Sequence, residues 1–513
     1  MSICPKARFL AMGTLLAAFL LVPAFATADQ IYTSREEIPS KYKWDMTLLH
    51  DSWEDWASGL QRMEDLYMQM LDYKGRLSEG PEVLLELYRL SDEAGKQSYF
   101  SYGYPAQLSD LNAKDSVARE SLGEFFAVYS RVSSKLSWIS PEILTIPEET
   151  MVRWIDETPE LEIYRFDLMD TYRTSKHTLD EQGEKLISLH SVVRSAPEDV
   201  FNALTSADGE RPEVTLADGE KLTLSAGLYA KSLSTERDPG DRRLVQAAWM
   251  EQFNDRRNTF AAIYSGILNQ GWALAQSRGY PSTLEMKLDR NDIPLEVVTS
   301  LVETARACGA DLQRYHDLRK SFFNLESYGW SDAFVPLIED QRQFPYDDVV
   351  PLIVDSVASL GEEYRTKMAD QFKGGLVDVF ETPNKTSGAY NTGRYGAGSF
   401  VLLNYHGSLN DVFTVAHEMG HSMHTRLSQE YQPFITHSYT IFVAEVASII
   451  NERLLLEKFL GSMTRSEERI ALLELQIQKM MGTFFIQVMM ADFEIEAHRI
   501  VESGGGVAPD VPS

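Results

Sequence analysis

A chain of 513 residues, 44% hydrophobic and 11% aromatic, is long enough for two or three lobes with real cores and too apolar to be disordered. A formal net charge of −28 disfavours nucleic acid as a partner. The two cysteines are Cys4 and Cys308, and the first lies in an N-terminal leader, so no internal disulfide framework is expected.

Residues 1–28 read as a secretory signal peptide. Lys6 and Arg8 form a basic lead, residues 9–22 an apolar core, and Ala24-Phe-Ala26 and Ala26-Thr-Ala28 two small-x-small cleavage sites. The expected product is exported, periplasmic or extracellular, after cleavage at Ala26 or Ala28, with no stable membrane insertion. Loss of Lys6 and Arg8 takes the charge from −28 to −30, because the leader holds no Asp or Glu. The competing reading of the same run is an uncleaved membrane anchor.

The remainder divides on sequence into an N-terminal helical domain, 29–200, and a second domain, 201–513. Between Trp53 and Lys135 apolar residues recur at spacings of three and four, as in Leu60, Met63, Leu66, Tyr67 and Met70, which predicts helix after helix. Ser78-Glu-Gly80-Pro81 and Gly103-Tyr-Pro105 read as turns between helices. The cluster 99–104 (Tyr-Phe-Ser-Tyr-Gly-Tyr) is expected to pack between helices rather than hold a ligand. Around Asp218-Gly219 the period switches to two, the pattern of a β-hairpin. Helices resume over 243–278, 294–323 and 344–372.

Residues 382–398 are too rich in glycine for a helix and lead into a strand candidate, 399–405. A strand beside a catalytic centre can pair its free edge with an extended peptide, and Gly388, Tyr390, Gly393, Tyr395, Ser399 and Val401 are the candidate substrate contacts on that reading. The alternative is a surface loop followed by an internal strand.

Ser408-Leu-Asn-Asp411 predicts the start of a helix on which His417 and His421 lie one turn apart. With only 10 His in the chain, His417-Glu-Met-Gly-His421 is hard to reach by accident. Two imidazoles at that spacing can share one cation, and zinc suits them: the expected cofactor is one Zn2+ per chain. Glu418 is offset from the imidazole line and is the candidate general base. A third ligand ten residues after His417 is excluded, since Leu427 stands there. A Glu from a second helix is the other solution. Glu445 lies in a run whose Phe442, Val446, Ile449, Ile450 and Leu454 are expected to form a buried stripe, and a carboxylate there would need a partner. Glu452, two turns on, is the reserve, with a supporting role behind the ligands as its ordinary reading. His424 is either a supporting group or a satisfied structural residue.

Ser387-Gly-Ala-Tyr390, Leu402-Leu-Asn-Tyr405, His417-Glu-Met-Gly-His421-Ser-Met-His424 and Ala444-Glu445-Val-Ala-Ser448 together resemble oligoendopeptidase F, in the thimet oligopeptidase superfamily of zinc peptidases. The resemblance implies a mainly α, two-lobed zincin-type metallopeptidase, with a deep substrate channel and a small β element beside the metal. It implies a zinc metalloendopeptidase acting on short unfolded peptides, with His417, His421 and Glu445 as ligands, and it favours substrate contact for the Gly-rich stretch. Thr464-Arg-Ser-Glu467 reads as a capping box opening a helix that runs to about Glu502. Beyond it the resembled family continues through a further helical segment with a His and several Tyr facing the zinc, whereas this sequence reads Ser503-Gly-Gly-Gly-Val-Ala-Pro. The expectation from that departure is a chain lacking its C-terminal segment, with a weakly active or inactive zinc-binding, peptide-binding module as the alternative function. Oligomeric state is not expressed in the sequence.

Overall fold

The computed structural model describes residues 32–508 apart from 191–193, 195, 208 and 341, so the leader lies outside the described residues. Among those described, no helix is long and apolar enough to cross a membrane. Two compact units emerge, each built from two stretches of sequence: 32–189 with 343–462, and 190–342 with 463–508. The units therefore do not follow a linear division near residue 200. The first stretch folds with the one that carries the histidine motif.

In the first unit three helices follow one another: α1 (Trp53–Gln69), α2 (Pro81–Leu111) and α3 (Ser116–Lys135). Each begins where the sequence supplies a start signal. Ser52 accepts from the Asp55 amide, Pro81 occupies the first turn where no amide is needed, and Asp115 accepts from the Ala118 amide. Their buried faces carry Trp56, Leu60, Met63, Leu84, Leu87, Tyr88, Phe125 and Val132 in one core. Each such side chain contributes about 1.5–3 kcal/mol on burial.

The expected turn at Gly103-Tyr-Pro105 is absent, because α2 runs straight through it. Pro105 has no N–H for the carbonyl of Ser101 four residues back, and that carbonyl instead accepts from the Trp56 indole at 2.8 Å. Gly103 serves contact rather than a bend: a Cβ there would lie 2.4 Å from Arg394 Nε. The aromatic cluster does pack between elements, with Tyr102 against Phe125 and Tyr104 against Trp53.

A three-stranded sheet, β1 (Val377–Asp378), β2 (Tyr390–Arg394) and β3 (Gly398–Leu402), has the order β1-β3-β2. The predicted strand is thus the central one, parallel to β1 and antiparallel to β2. Asp378, fully buried, ties the N-terminal segment to the sheet through Arg35 at 3.0 and 2.5 Å and Lys385 at 2.8 Å. Burial alone would raise its pKa, but these two cations outweigh it and hold the carboxyl below its ordinary value.

Two long helices complete this unit. In α4 (Leu409–Tyr431) the Ser408 hydroxyl and the Asp411 carboxylate form a reciprocal capping box, and in α5 (Ile441–Ser462) lies Glu445. The stripe expected to be buried on α5 is not. Phe442, Val446, Ile449 and Ile450 are exposed and Leu454 is half-buried, while Ala444, Ser448, Asn451, Leu455, Leu456 and Phe459 face inward. The reason is the closeness of α4. A Cβ on Gly420 would lie 2.6 Å from Ser448 Cα and 2.7 Å from the Ala447 carbonyl, so α5 presents small residues to its neighbour. Periodicity finds an apolar face, but the partner decides which face is buried.

In the second unit the predicted hairpin forms from Glu213–Thr215 and Lys221–Thr223, with Gly219 in the left-handed region its turn requires. The long helical runs are interrupted: 243–278 spans parts of Pro239–Asn254 and Arg257–Ser277, and 294–323 breaks at Cys308. The capping box expected at Thr464 does not form. The helix Ser466–Met480 starts after Arg465 with no side-chain cap and reaches Gln487–Glu502 through a π-helical turn. Buried Arg319 is paired with Glu474, and buried Arg242 with Asp332 at 2.5 Å.

Candidate metal centre

His417 and His421, one turn apart on α4, turn their Nε2 atoms to within 3.1 Å of each other. From α5, Glu445 Oε2 approaches them at 3.3 and 3.5 Å. Three donor atoms from three side chains thus converge, with no other such group among the described residues. Two ligands of a tetrahedral ion with bonds of about 2.0–2.1 Å stand about 3.3 Å apart, so the three spacings match the face of a zinc tetrahedron. Two imidazole nitrogens facing each other at 3.1 Å are also poor neighbours without a cation between them, because both present lone pairs unless one is protonated.

Neighbouring groups prepare the donors. His417 Nδ1 donates to Glu452 Oε1 at 2.6 Å, which leaves the Nε2 lone pair for the cluster. Burial works to lower the His417 pKa, but Glu452, Glu418 and Glu445 together raise it. The Glu445 carboxyl would be pushed up by partial burial, yet the hydrogen bond and charge of His421, the charge of His417 and the Ser448 hydroxyl at 2.8 Å bring it down to about 2. It is therefore an anion ready to ligate.

Glu418 behaves oppositely. It is 7% exposed, its Oε2 has no hydrogen-bond partner among the described residues, and burial raises its pKa. A buried carboxylate oxygen left free next to a histidine cluster suits proton transfer better than structural duty. His424, one turn past His421, stacks on the Tyr439 ring with centroids 3.6 Å apart, and burial lowers its pKa.

The six candidate substrate contacts do not form one surface. Ser399 and Val401 are buried in the central strand β3, with the Val401 amide on Leu376 at 2.7 Å, its carbonyl on the Trp44 indole at 2.9 Å and the Ser399 carbonyl on Gln371. They are corrected to interior residues, since a strand paired on both sides has no edge to offer. Tyr390 points inward to Asp110 at 2.5 Å, and Tyr395 packs against Phe434 and His437. Gly388 is exposed, in the left-handed region. Gly393 lies on α4, where a Cβ would fall 2.5 Å from Thr425 Cγ2.

The edge belongs to β2 instead. Val401 and Leu403 send their amides to the β1 side, so Phe400 and Leu402 turn theirs towards β2, opposite Thr392 and Tyr390. By the same alternation the main chain of Asn391 and Gly393 faces the outer edge of the sheet, where the Gly393 carbonyl accepts from Arg394 Nη1 at 3.2 Å and keeps a second lone pair. Sequence reading did not single out Asn391, Thr425 or Tyr439, whose mutual contacts span up to 34 residues along the chain. Gly393 and Gly420, glycines inside regular elements where a side chain would normally stand, are the local signal that could have pointed to close approach.

The chain is similar in sequence and in fold to known peptidases. Residues 232–509 match the model of peptidase family M3, and residues 142–210 that of oligopeptidase F. The chain is 29% identical to oligopeptidase PepF of Bacillus subtilis over 93% of its own length and 71% of that protein. It is 31% identical to an oligoendopeptidase F homolog of Borreliella burgdorferi, covering 91% of this chain and 78% of that one. In fold it is similar to the crystal structure of oligoendopeptidase-F from Enterococcus faecium, with a TM-score of 0.68 and 24% identity over 89% of this chain and 77% of that chain.

Proposed function

This chain belongs to peptidase family M3 and is a metalloendopeptidase; from that premise we propose that it uses one zinc ion, held by His417, His421 and Glu445, to hydrolyse internal bonds of short unfolded peptides. The observation that carries the reading is the convergence of the three donor atoms at 3.1–3.5 Å beside buried Glu418, whose Oε2 has no hydrogen-bond partner among the described residues. When bound there, zinc supplies Lewis-acid polarisation of the scissile carbonyl and acidifies water. Glu418 takes the proton of the attacking water and passes it to the departing amine nitrogen. Its raised pKa suits both halves of that task, because the base must also become an acid. Glu452 fixes the His417 ring and its tautomer, and Glu445 remains ionised. The outward main chain of Asn391 and Gly393 can pair with an extended peptide without selecting its side chains, which supports a preference for unfolded substrates.

The test is hydrolysis of a mixture of short peptides, followed by mass spectrometry of the products. Internal cleavage should vanish with a chelator and return with zinc. Glu418→Gln should keep near-stoichiometric zinc while turnover falls about 10²- to 10⁴-fold. Chelator-insensitive cleavage, no cleavage by the unaltered chain, or parental turnover in Glu418→Gln would overturn the proposal.

A further inference from the structure

The geometry points to Thr425 as a positioning residue that sets the substrate-pairing edge of the sheet against the metal helix; this rests on the zinc-peptidase reading above. Thr425 is four residues after His421 and eight after His417, so the three share one face of α4. Its hydroxyl is the meeting point of three elements. It donates to Asn391 Oδ1 on β2 at 3.1 Å and is bonded to the Tyr439 hydroxyl, just before α5, at 2.9 Å. Asn391 is held in turn, its amide donating to Ser399 Oγ at 2.5 Å and to the Phe400 carbonyl at 3.2 Å. At the other end the Tyr439 ring lies flat on His424, the α4 residue beside Thr425, at 3.6 Å with an interplanar angle of 9°.

The methyl of Thr425 adds a second constraint. Gly393 sits so close that a Cβ would lie 2.5 Å from Thr425 Cγ2, so β2 rests directly on this side chain. Asn391 and Gly393, the two residues whose main chain faces the outer edge, are thus the two that touch Thr425. A peptide paired on that edge has its height above His417 and His421 fixed through one threonine. Misplacement of a scissile bond by about 1 Å costs on the order of 10²-fold in rate, so such a pin governs which bond is presented as well as how fast it is cut.

The experiment separates this role from turnover. In a Glu418→Gln background loaded with zinc, hydrogen exchange of residues 390–394 is followed on adding a short peptide that the parent chain is found to cleave, or, if it cleaves none, an unstructured nonapeptide library. The peptide should protect the Asn391 and Gly393 amides, Thr425→Val should abolish that protection at equal zinc content, and Thr425→Ser, which keeps the hydroxyl, should restore it. In the otherwise unaltered chain Thr425→Val should lower kcat at least tenfold and spread cleavage over neighbouring bonds. Tyr439→Phe, which keeps the Thr425 bond to Asn391, serves as a milder variant should the valine chain fail to fold, and its protection and kcat should fall between parent and valine. Equal protection in parent and Thr425→Val, no protection in any chain, or zinc lost together with protection would overturn the assignment. An unaltered chain that shows protected amides but no chelator-sensitive cleavage would contradict the function instead.

Discussion

Glu445 and Glu452 lie two turns apart on α5 and reach the same imidazole from its two nitrogens, Glu445 at His417 Nε2 and Glu452 at Nδ1. The first nitrogen belongs to the cluster and the second lies behind it, the placement expected of a ligand and its support on the proposed reading. Glu452→Ala should therefore weaken zinc binding about 10- to 100-fold, the usual cost of removing such a partner, while Glu445→Ala should weaken it further. Titration against a competing chelator gives both constants, and the reverse ranking would exchange the two roles. The spacing of the histidine pair and the neighbouring glutamate was legible in the sequence because one helical turn specifies it, whereas Glu445 was reached through an apolar stripe that is in fact exposed and through the family resemblance. Thr425, Asn391 and Tyr439 were not legible, since nothing local in a Thr, an Asn or a Tyr tells which distant group it will meet.

At the scale of elements, the start of α4 was legible because Ser408 and Asp411 announce it, whereas the box read at Thr464 does not form. Failures arose where a tertiary contact overrides a local signal. Pro105 stays helical because Trp56 supplies the missing donor, and α5 buries small residues because Gly420 admits its backbone. That crossing also sets the distance from Glu445 to the histidines, as Ser448 touches both Gly420 and the Glu445 carboxylate. Gly420→Ala must push α5 away, at a cost of about 1–3 kcal/mol for overpacking. The expected outcome is a lower melting temperature together with reduced zinc occupancy, measured by metal analysis of the purified variant. A chain with lower melting temperature but full zinc would show that the crossing carries stability only.

For the whole molecule, composition and periodicity gave the class, a mainly helical protein with small sheets, and its likeness to M3 peptidases holds in sequence and fold. The discontinuous units were not legible, because the first closes residues 32–189 on residues 343–462, a pairing that no local signal encodes. The consequence is chemical as well as topological. The histidine helix is packed in the same unit as the N-terminal helices, with β2 joined to α2 through the Tyr390 contact to Asp110. The central claim, that this unit builds a zinc centre from His417, His421 and Glu445, is most directly tested by anomalous diffraction from crystals of the purified chain above and below the zinc absorption edge. The account predicts one peak about 2.0–2.2 Å from His417 Nε2, His421 Nε2 and a Glu445 carboxylate oxygen. Zinc-replete crystals with no peak there, or with the peak on Glu452 instead of Glu445, would contradict it.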